Sequence, residues 1–208
     1  MNKITKITNV YDEPKHKKFF SSDKHYGHRK IITMCKRPYS SLEDMEEDLL
    51  SKHNERVTDN DDYYDLGDIG YRCSTQHVVD MISRMNGKIH IILGNHDKPL
   101  RKAIKNGMLA DLFDSGKLEV YGSINPDTIT AKIIDIEGRK VILSHYAYRT
   151  WPGSFRGAIH LFGHSHGNLS DFYRSFDVGV DSNNGYPWEW SEIMKKIKTV
   201  STEEFKEK

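Results

Sequence analysis

The sequence predicts an α/β fold built in layers, with its reactive side chains gathered along one edge of the strands. Three observations predict it. Short runs rich in Ile, Val, Phe and Tyr read as buried strands, amphipathic helical stretches lie between the early runs, and five of the runs end in a small residue followed by Asp, Asn or His. Strand and helix alternate through the first half, which implies βαβ crossovers and a largely parallel sheet.

The first strand is "FFSSDKH", from Phe19 to His25. The helix after it is "SLEDMEEDLLSKHNERV", with Leu42, Met45, Leu49 and Leu50 on one face, Ser41 as N-cap and Asp44 near the capping-box position. The second strand, "YYDLGD", leads into "STQHVVDMISRMNG", which starts on Ser74, places Val78, Val79, Ile82 and Met85 on one face, and is expected to close on Asn86-Gly87. "IHIILGNHD" is the third strand. Later, "TITAKIIDI", the turn "EGRK" and "VILSH" read as an antiparallel hairpin, and "AIHLFGHSH" is a fifth polar-ended strand.

Size and composition narrow the possibilities. A chain of 208 residues without internal repeats or linkers fits one domain, 1–208. No apolar run approaches the roughly 20 residues of a spanning helix, so no membrane role is expected. The segment "YDEPKHKK" is polar where a secretory signal would be apolar, and cytoplasmic residence is the expectation. Cys35 and Cys73 stand in no Cys-x-x-Cys spacing and read as reduced structural thiols. With a net charge of +1 there is no global field to draw nucleic acid, and the patches "PKHKK" and "KKIK" read as solvated surface.

Strand carboxyl ends are where open α/β sheets bind ligands. Ordinary turns favour Gly, Asn, Asp and Ser but not histidine, so five such ends on one edge argue for chemistry. If the backbone stays extended through "SDKH" and "GHSH", residues i and i+2 point the same way, pairing Asp23 with His25 and His164 with His166 as chelating arms. Asp68, Asn95 and His145 raise the set to seven oxygen and nitrogen donors without sulfur. That exceeds one tetrahedral zinc and suits two divalent ions. Mn2+ is the leading expectation, with Fe, Ni, Zn or Mg as alternatives. Two carboxylates against two such ions leave a surplus of about two positive charges, which an anionic phosphate ester fits.

With Asp23-Lys24-His25, Gly67-Asp68, Gly94-Asn95-His96-Asp97, the lone His145 and Gly163-His164-Ser165-His166 in this order, the sequence resembles the calcineurin-like metallophosphoesterases. The resemblance implies a four-layer αββα sandwich with two mixed β-sheets. It also implies one ion held by Asp23, His25 and His166, a second held by Asn95, His145 and His164, and Asp68 as the bridge. A bridging hydroxide would attack, His96 would act as general acid on the leaving oxygen, and Asp97 would support its imidazole. "HYGHRKII" followed by "RPY" is similar to small bacterial and phage-type members, and this suggests that His28 and Arg37 face the active site. One departure stands out: "GDIGYRC" lacks the second acid of Gly-Asp-x-x-Asp, leaving Arg72 or Asp97 to replace it.

Between the last two ligand-bearing strands, "SHYAYRTWPGSFRG" carries Arg149, Trp151 and Arg156, and Arg149 is a candidate substrate contact. His16, His53, His77, His90 and His160 lack motif partners and read as packing residues. The expected activity is hydrolysis of a phosphate ester, with a lean towards phosphodiester or nucleotide-like small substrates, because a general acid helps most with a poor alkoxide leaving group. Two alternatives remain open at this point: a nuclease on DNA or RNA, and a catalytically silent scaffold of the same fold.

Overall fold

The structure is a computed structural model that describes residues 16–123, 125 and 128–199. Pro14 and Lys15 of the first basic patch lie outside the described residues. The first sheet is assembled from β1 (Lys18–Ser21), β2 (Asp62–Asp65), β3 (Lys88–Ile92), β4 (Leu118–Tyr121) and β9 (Trp188–Glu189) in the order β4-β3-β2-β1-β9. Four of its strands are parallel, and only β9 runs antiparallel, against β1. The second sheet has the order β5-β6-β7-β8, from β5 (Ala131–Ile136), β6 (Arg139–Ser144), β7 (Ile159–Phe162) and β8 (Ser175–Asp177). It is mixed too, with β5 antiparallel to β6 and the other pairs parallel.

Strand periodicity explains how the layers stack. Phe19, Tyr63, Ile89 and Ile91 point into a core shared with α1 (Arg29–Met34), α2 (Leu42–Arg56), α3 (Thr75–Ser83), α4 (Lys98–Lys105) and α5 (Ala110–Asp114). Their neighbours Phe20, Tyr64 and Ile92 point the other way, into a second core with Val141, Leu143, Ile159 and Leu161 of the facing sheet. Trp190 and Ile193 of α6 (Trp190–Thr199) join this second core. The far face of the second sheet carries Trp151 and Ala158 against Ile142, so a loop covers it. None of the described helices is long and apolar enough to cross a membrane.

Local sequence fixes several element ends. Ser41 and Ser74 accept hydrogen bonds from the amides of Asp44 and His77, the N-caps expected for α2 and α3. Asn86-Gly87 does not close α3, which ends at Ser83. Asn86 is drawn instead to the end of α2, where its amide group donates to the Val57 carbonyl and its backbone N–H to Asn54 Oδ1. The hairpin forms as expected, although its first strand begins at Ala131 rather than at the preceding "TIT". Glu137 and Gly138 both have positive φ, 54° and 74°, the conformation that a two-residue I′ turn requires.

Of the unpartnered histidines, His53, His90 and His160 are buried, as expected, whereas His16 is exposed and His77 is half-buried against Glu46. His160 is buried between the Ser144 and Ser175 hydroxyls and stacks on Tyr148, and His53 is buried with Nε2 on the Asn86 carbonyl oxygen. Burial pulls His160 down to about 4 and His53, also facing the Lys24 charge, to about 3. In the unfolded chain both take up protons near about 6.5. The unfolded state therefore binds more protons below that value, and stability falls as pH drops from about 6.5 towards 4, by at most about 1.4 kcal/mol per pH unit for each histidine. Urea midpoints are expected to be lower at pH 5 than at pH 7, with a weaker dependence in His160→Gln. Equal midpoints would show that neither histidine is held neutral.

Candidate metal centre

β1, β2 and β3 run parallel, as do β6 and β7, so the segments that follow them emerge at common edges. The loops meet where glycine lets backbones touch. A Cβ on Gly163 would sit 2.0 Å from Ser22 Oγ and 2.6 Å from Asp23 Oδ2, and one on Gly94 would sit 2.3 Å from Asp68 Oδ1. The glycines of Gly-His-x-His and Gly-Asn-His-Asp therefore hold positions that no larger residue can occupy without displacing a carboxylate.

The chelating arms converge by a route other than the extended backbone expected for them. Asp23, His25, Asp68, His164 and His166 have φ of 60°, 56°, 56°, 67° and 50°, all in the left-handed region. Each such residue costs roughly 1–2 kcal/mol relative to ordinary backbone, and such strain collects at functional sites. Alternation of left-handed residues, rather than strand pleating, turns Asp23 and His25 to the same side. Backbone bonds from Asp23 N–H to the Gly67 carbonyl and from His25 N–H to the Asp68 carbonyl lock the two loops together at 2.9 and 3.0 Å.

Two groups of donors result. Asp23, His25 and His166 bring ligand atoms within 4.8 Å of one another, and so do Asp68, His145 and His164. Asn95 completes the second group, its Oδ1 lying 3.0 Å from His145 Nε2 and accepting from the Tyr146 hydroxyl at 3.1 Å. The groups adjoin: Asp68 Oδ2 is 3.3 Å from His145 Nε2 and 3.7 Å from His25 Nε2. All seven expected donors are thus gathered in one place.

Their chemistry fits cations. Asp23 Oδ1 and His25 Nε2 are buried without a hydrogen-bond partner, which is expensive unless something else binds them. Burial pushes the Asp23 carboxyl up to about 7, against the pull of His145 and His166, so its charge lacks sufficient compensation from the protein alone. Burial also pulls His25 down to about 3, leaving a neutral imidazole with a free lone pair. His145 Nδ1 donates to the Leu66 carbonyl at 2.8 Å, and His166 Nδ1 pairs with Asp181 Oδ2 at 2.7 Å. Fixing one ring nitrogen aims the other into the site, an arrangement typical of metal-binding histidines.

Two candidate residues, Arg37 and Asp97, do other work than expected. Arg37 does not face a substrate: its Nε and Nη2 grip both Asp181 oxygens at 2.7 and 2.8 Å, Nη2 also reaches the Asp23 carbonyl at 2.7 Å, and Nη1 reaches the Lys24 carbonyl at 3.0 Å. With every donor face occupied and 7% exposure, it is a buried strut. Asp97 does not support His96, because its carboxylate accepts the amides of Asp68, Ile69 and Gly94 at 2.8–2.9 Å, and so ties the two ligand loops together. Burial beside Asp68 pushes this carboxyl up to about 7, against those amides. Arg149 is exposed on the loop after β6 and makes none of the contacts that gather the other residues.

His28 does reach the site. Its Nδ1 lies 3.3 Å from His25 Nδ1, and its ring packs on Tyr71 at 3.9 Å. His96 is half-buried with its amide on Asp68 Oδ1 at 2.7 Å; its ring is 5.6 Å from that of His25 and edge-on to Tyr71 at 4.8 Å. Arg72, with φ of 52°, lies over the Tyr71 ring, so Tyr71 rather than an acid flanks the imidazole. Sequence reasoning missed Asp181, Tyr146, Tyr71 and Arg101. Arg101 is buried and holds the Gly94 carbonyl from behind at 2.8 Å. Of these, only Tyr146 adjoins a predicted ligand in a way that could have marked it.

No family model matches the chain. It is similar to the uncharacterized protein MJ1445 of Methanocaldococcus jannaschii, at 29% identity over 187 residues that cover 86% of this chain and 90% of the relative. The crystal structure of the protein of unknown function AQ665 from Aquifex aeolicus superposes with a TM-score of 0.64 at 22% identity, covering 88% of this chain and 100% of that one. That likeness concerns the α/β fold alone.

The strut and the tie are separable by experiment. Asp181→Asn is expected to lower affinity for Mn2+ by about 10–100-fold, measured by calorimetric titration, with an unchanged circular dichroism spectrum. Asp97→Ala leaves three buried amides unsatisfied and is expected to lower unfolding stability by at least about 2 kcal/mol in urea. An Asp97→Ala protein of normal stability but reduced turnover would instead return Asp97 to a catalytic role.

Proposed function

We propose that the protein is a dinuclear metal-dependent phosphoesterase of the calcineurin-like kind, with the two sheets as the centre of an αββα sandwich. The observation that carries this reading is the pair of adjoining donor groups, Asp23/His25/His166 and Asp68/His145/His164, with Asp23 Oδ1 and His25 Nε2 of the first buried and unsatisfied. Asp23, His25 and His166 would hold one divalent ion, Asn95, His145 and His164 the other, and Asp68 would be shared. Such ions, when bound, supply an activated water and neutralise charge on phosphoryl oxygens. Mn2+ suits the mixed oxygen and nitrogen donors, and Fe, Ni, Zn or Mg are accommodated by the same set.

The remaining work falls to the chain. His96 stands beside the donor groups without joining either, and a positioned imidazole there can give a proton to the leaving oxygen. Its backbone N–H, bonded to Asp68, fixes it relative to the shared carboxylate. His28, pulled down to about 4 by burial and by the neighbouring His96, is neutral at physiological pH and offers a polar ring edge at the mouth. Protonation of the leaving oxygen matters most when that group is a poor alkoxide, which favours phosphodiesters, nucleotide-like ones included.

Purified protein is expected to hydrolyse bis(4-nitrophenyl) phosphate with Mn2+. In His96→Ala, metal content measured by mass spectrometry stays unchanged while turnover falls by about 10²–10⁴. Asp68→Ala is expected to lose metal. A folded wild-type protein that binds no metal and turns over no ester would favour a scaffold role, and activity confined to monoesters would remove the diester preference.

A further inference from the structure

Two concavities meet at His96. One, of about 570 Å³, is lined by Arg72, Lys98 and Lys102 together with Tyr71 and His96. The other, of about 380 Å³, shares Tyr71, Arg72 and His96 and adds His28, Arg29 and Lys30. Each has the size of a site for one small group. Among the described residues no carboxylate lines either lobe, although the chain carries 30 acidic against 31 basic residues.

The cations are arranged about the reacting position rather than scattered. Lys98 and Lys102 lie one turn apart on α4 and project to the same side, while Arg29 and Lys30 open α1 and line the other lobe that His96 borders. Arg72 lies between them, in strained backbone with φ of 52° and its guanidinium over Tyr71. All five are exposed, and among the described residues none is in an ion pair. A lone phosphate ester, already met by two divalent ions, gives no reason for positive charge extending to both sides.

We infer that the substrate is a single-stranded nucleic acid, its scissile phosphodiester beside His96 and its neighbouring phosphates carried by Arg29 and Lys30 on one flank and by Lys98 and Lys102 on the other. This deepens the phosphoesterase reading and rests on it. Hydrolysis balances: a water oxygen bonds to phosphorus as one of its protons passes to solvent, the bond from phosphorus to the leaving sugar oxygen breaks, and that oxygen takes the proton of His96, which solvent then restores. A single strand suits the geometry because the floor of the donor groups is recessed, with Asp23, His25, Asp68 and His145 no more than 2% exposed while His164 stands open at the rim, and the flanking lobes are nucleotide-sized. A small net charge does not oppose this, since phosphate contacts act through local cations and release of counterions.

The test is anisotropy of fluorescein-labelled phosphorothioate oligothymidylates with the Mn2+-loaded protein. Affinity is expected to rise about tenfold from dinucleotide to hexanucleotide, and to fall with salt by a log–log slope of about 0.7 per phosphate contacted. Lys98→Ala/Lys102→Ala removes most of that gain and lowers the slope by about 1.4, whereas Lys195→Ala on α6 changes neither. Length-independent affinity, a double variant that binds like wild type, or equal affinity for a duplex hairpin would each overturn the inference. If bis(4-nitrophenyl) phosphate is hydrolysed and the hexanucleotide is not bound, only the substrate assignment fails. Absence of both metal binding and diester hydrolysis would mean that the phosphoesterase reading beneath it has failed.

Discussion

The arrangement depends on one close approach, that of Gly163 to Ser22 and Asp23. The two sheets bury a common apolar core, and apolar packing alone would tolerate small shifts of one sheet over the other. At the carboxyl edge that freedom ends, because the Gly163 backbone lies where a side chain would collide with a carboxylate. Asp23 Oδ2 then accepts the His164 amide at 2.8 Å, joining the first polar loop to the last. The donors come from strands far apart in sequence, and this contact sets the distance at which they face one another.

Beneath and around the donors lies a shell of buried charge with a different task. Lys24 is fully buried and pairs with Asp65 at 2.7 Å, with Tyr63 completing the set, and Asp65 also accepts the Gly67 amide. Arg37 and Asp181 brace the other side, and Asp97 and Arg101 hold the Gly94 loop. Each unit would be costly to bury unpaired. Satisfied from within, these groups prevent relaxation of five left-handed residues that would otherwise return to easier backbone. The floor of the site is consequently stiff and internally neutralised, while its rim carries positive charge that has no ion-pair partner among the described residues.

Much of this was legible in the sequence, and the misses have physical causes. Apolar runs such as Phe19-Phe20 and Tyr63-Tyr64 exposed the strands, serine caps marked α2 and α3, and Asp, Asn or His after small residues marked the donors. β8 and β9 escaped because three and two residues give too little periodicity to read, and β4, Leu-Glu-Val-Tyr, lacks the unbroken apolar run that marked β1. The roles of Arg37 and Asp97 escaped for another reason: a motif reports that a residue matters but not whether it touches substrate or backbone. Asp181 sits 144 residues from Arg37 in a short 3-10 turn, where neither spacing nor periodicity points to a distant histidine. Arg72 stood out only as a stand-in for a missing acid and the lysines of α4 and α1 are unremarkable in sequence, so only the fold places them around one imidazole.

The left-handed backbone at Asp23, His25, Asp68, His164 and His166 also constrains how this chain can drift. Asn and Gly accept that conformation readily, while Val, Ile and Thr do so at considerable cost. A lineage that ceased to need the chemistry but retained the fold would therefore not sample replacements evenly. Its abandoned donor positions would fill with Asn and Gly, a residue of lost function imposed by backbone geometry rather than by selection for any new one.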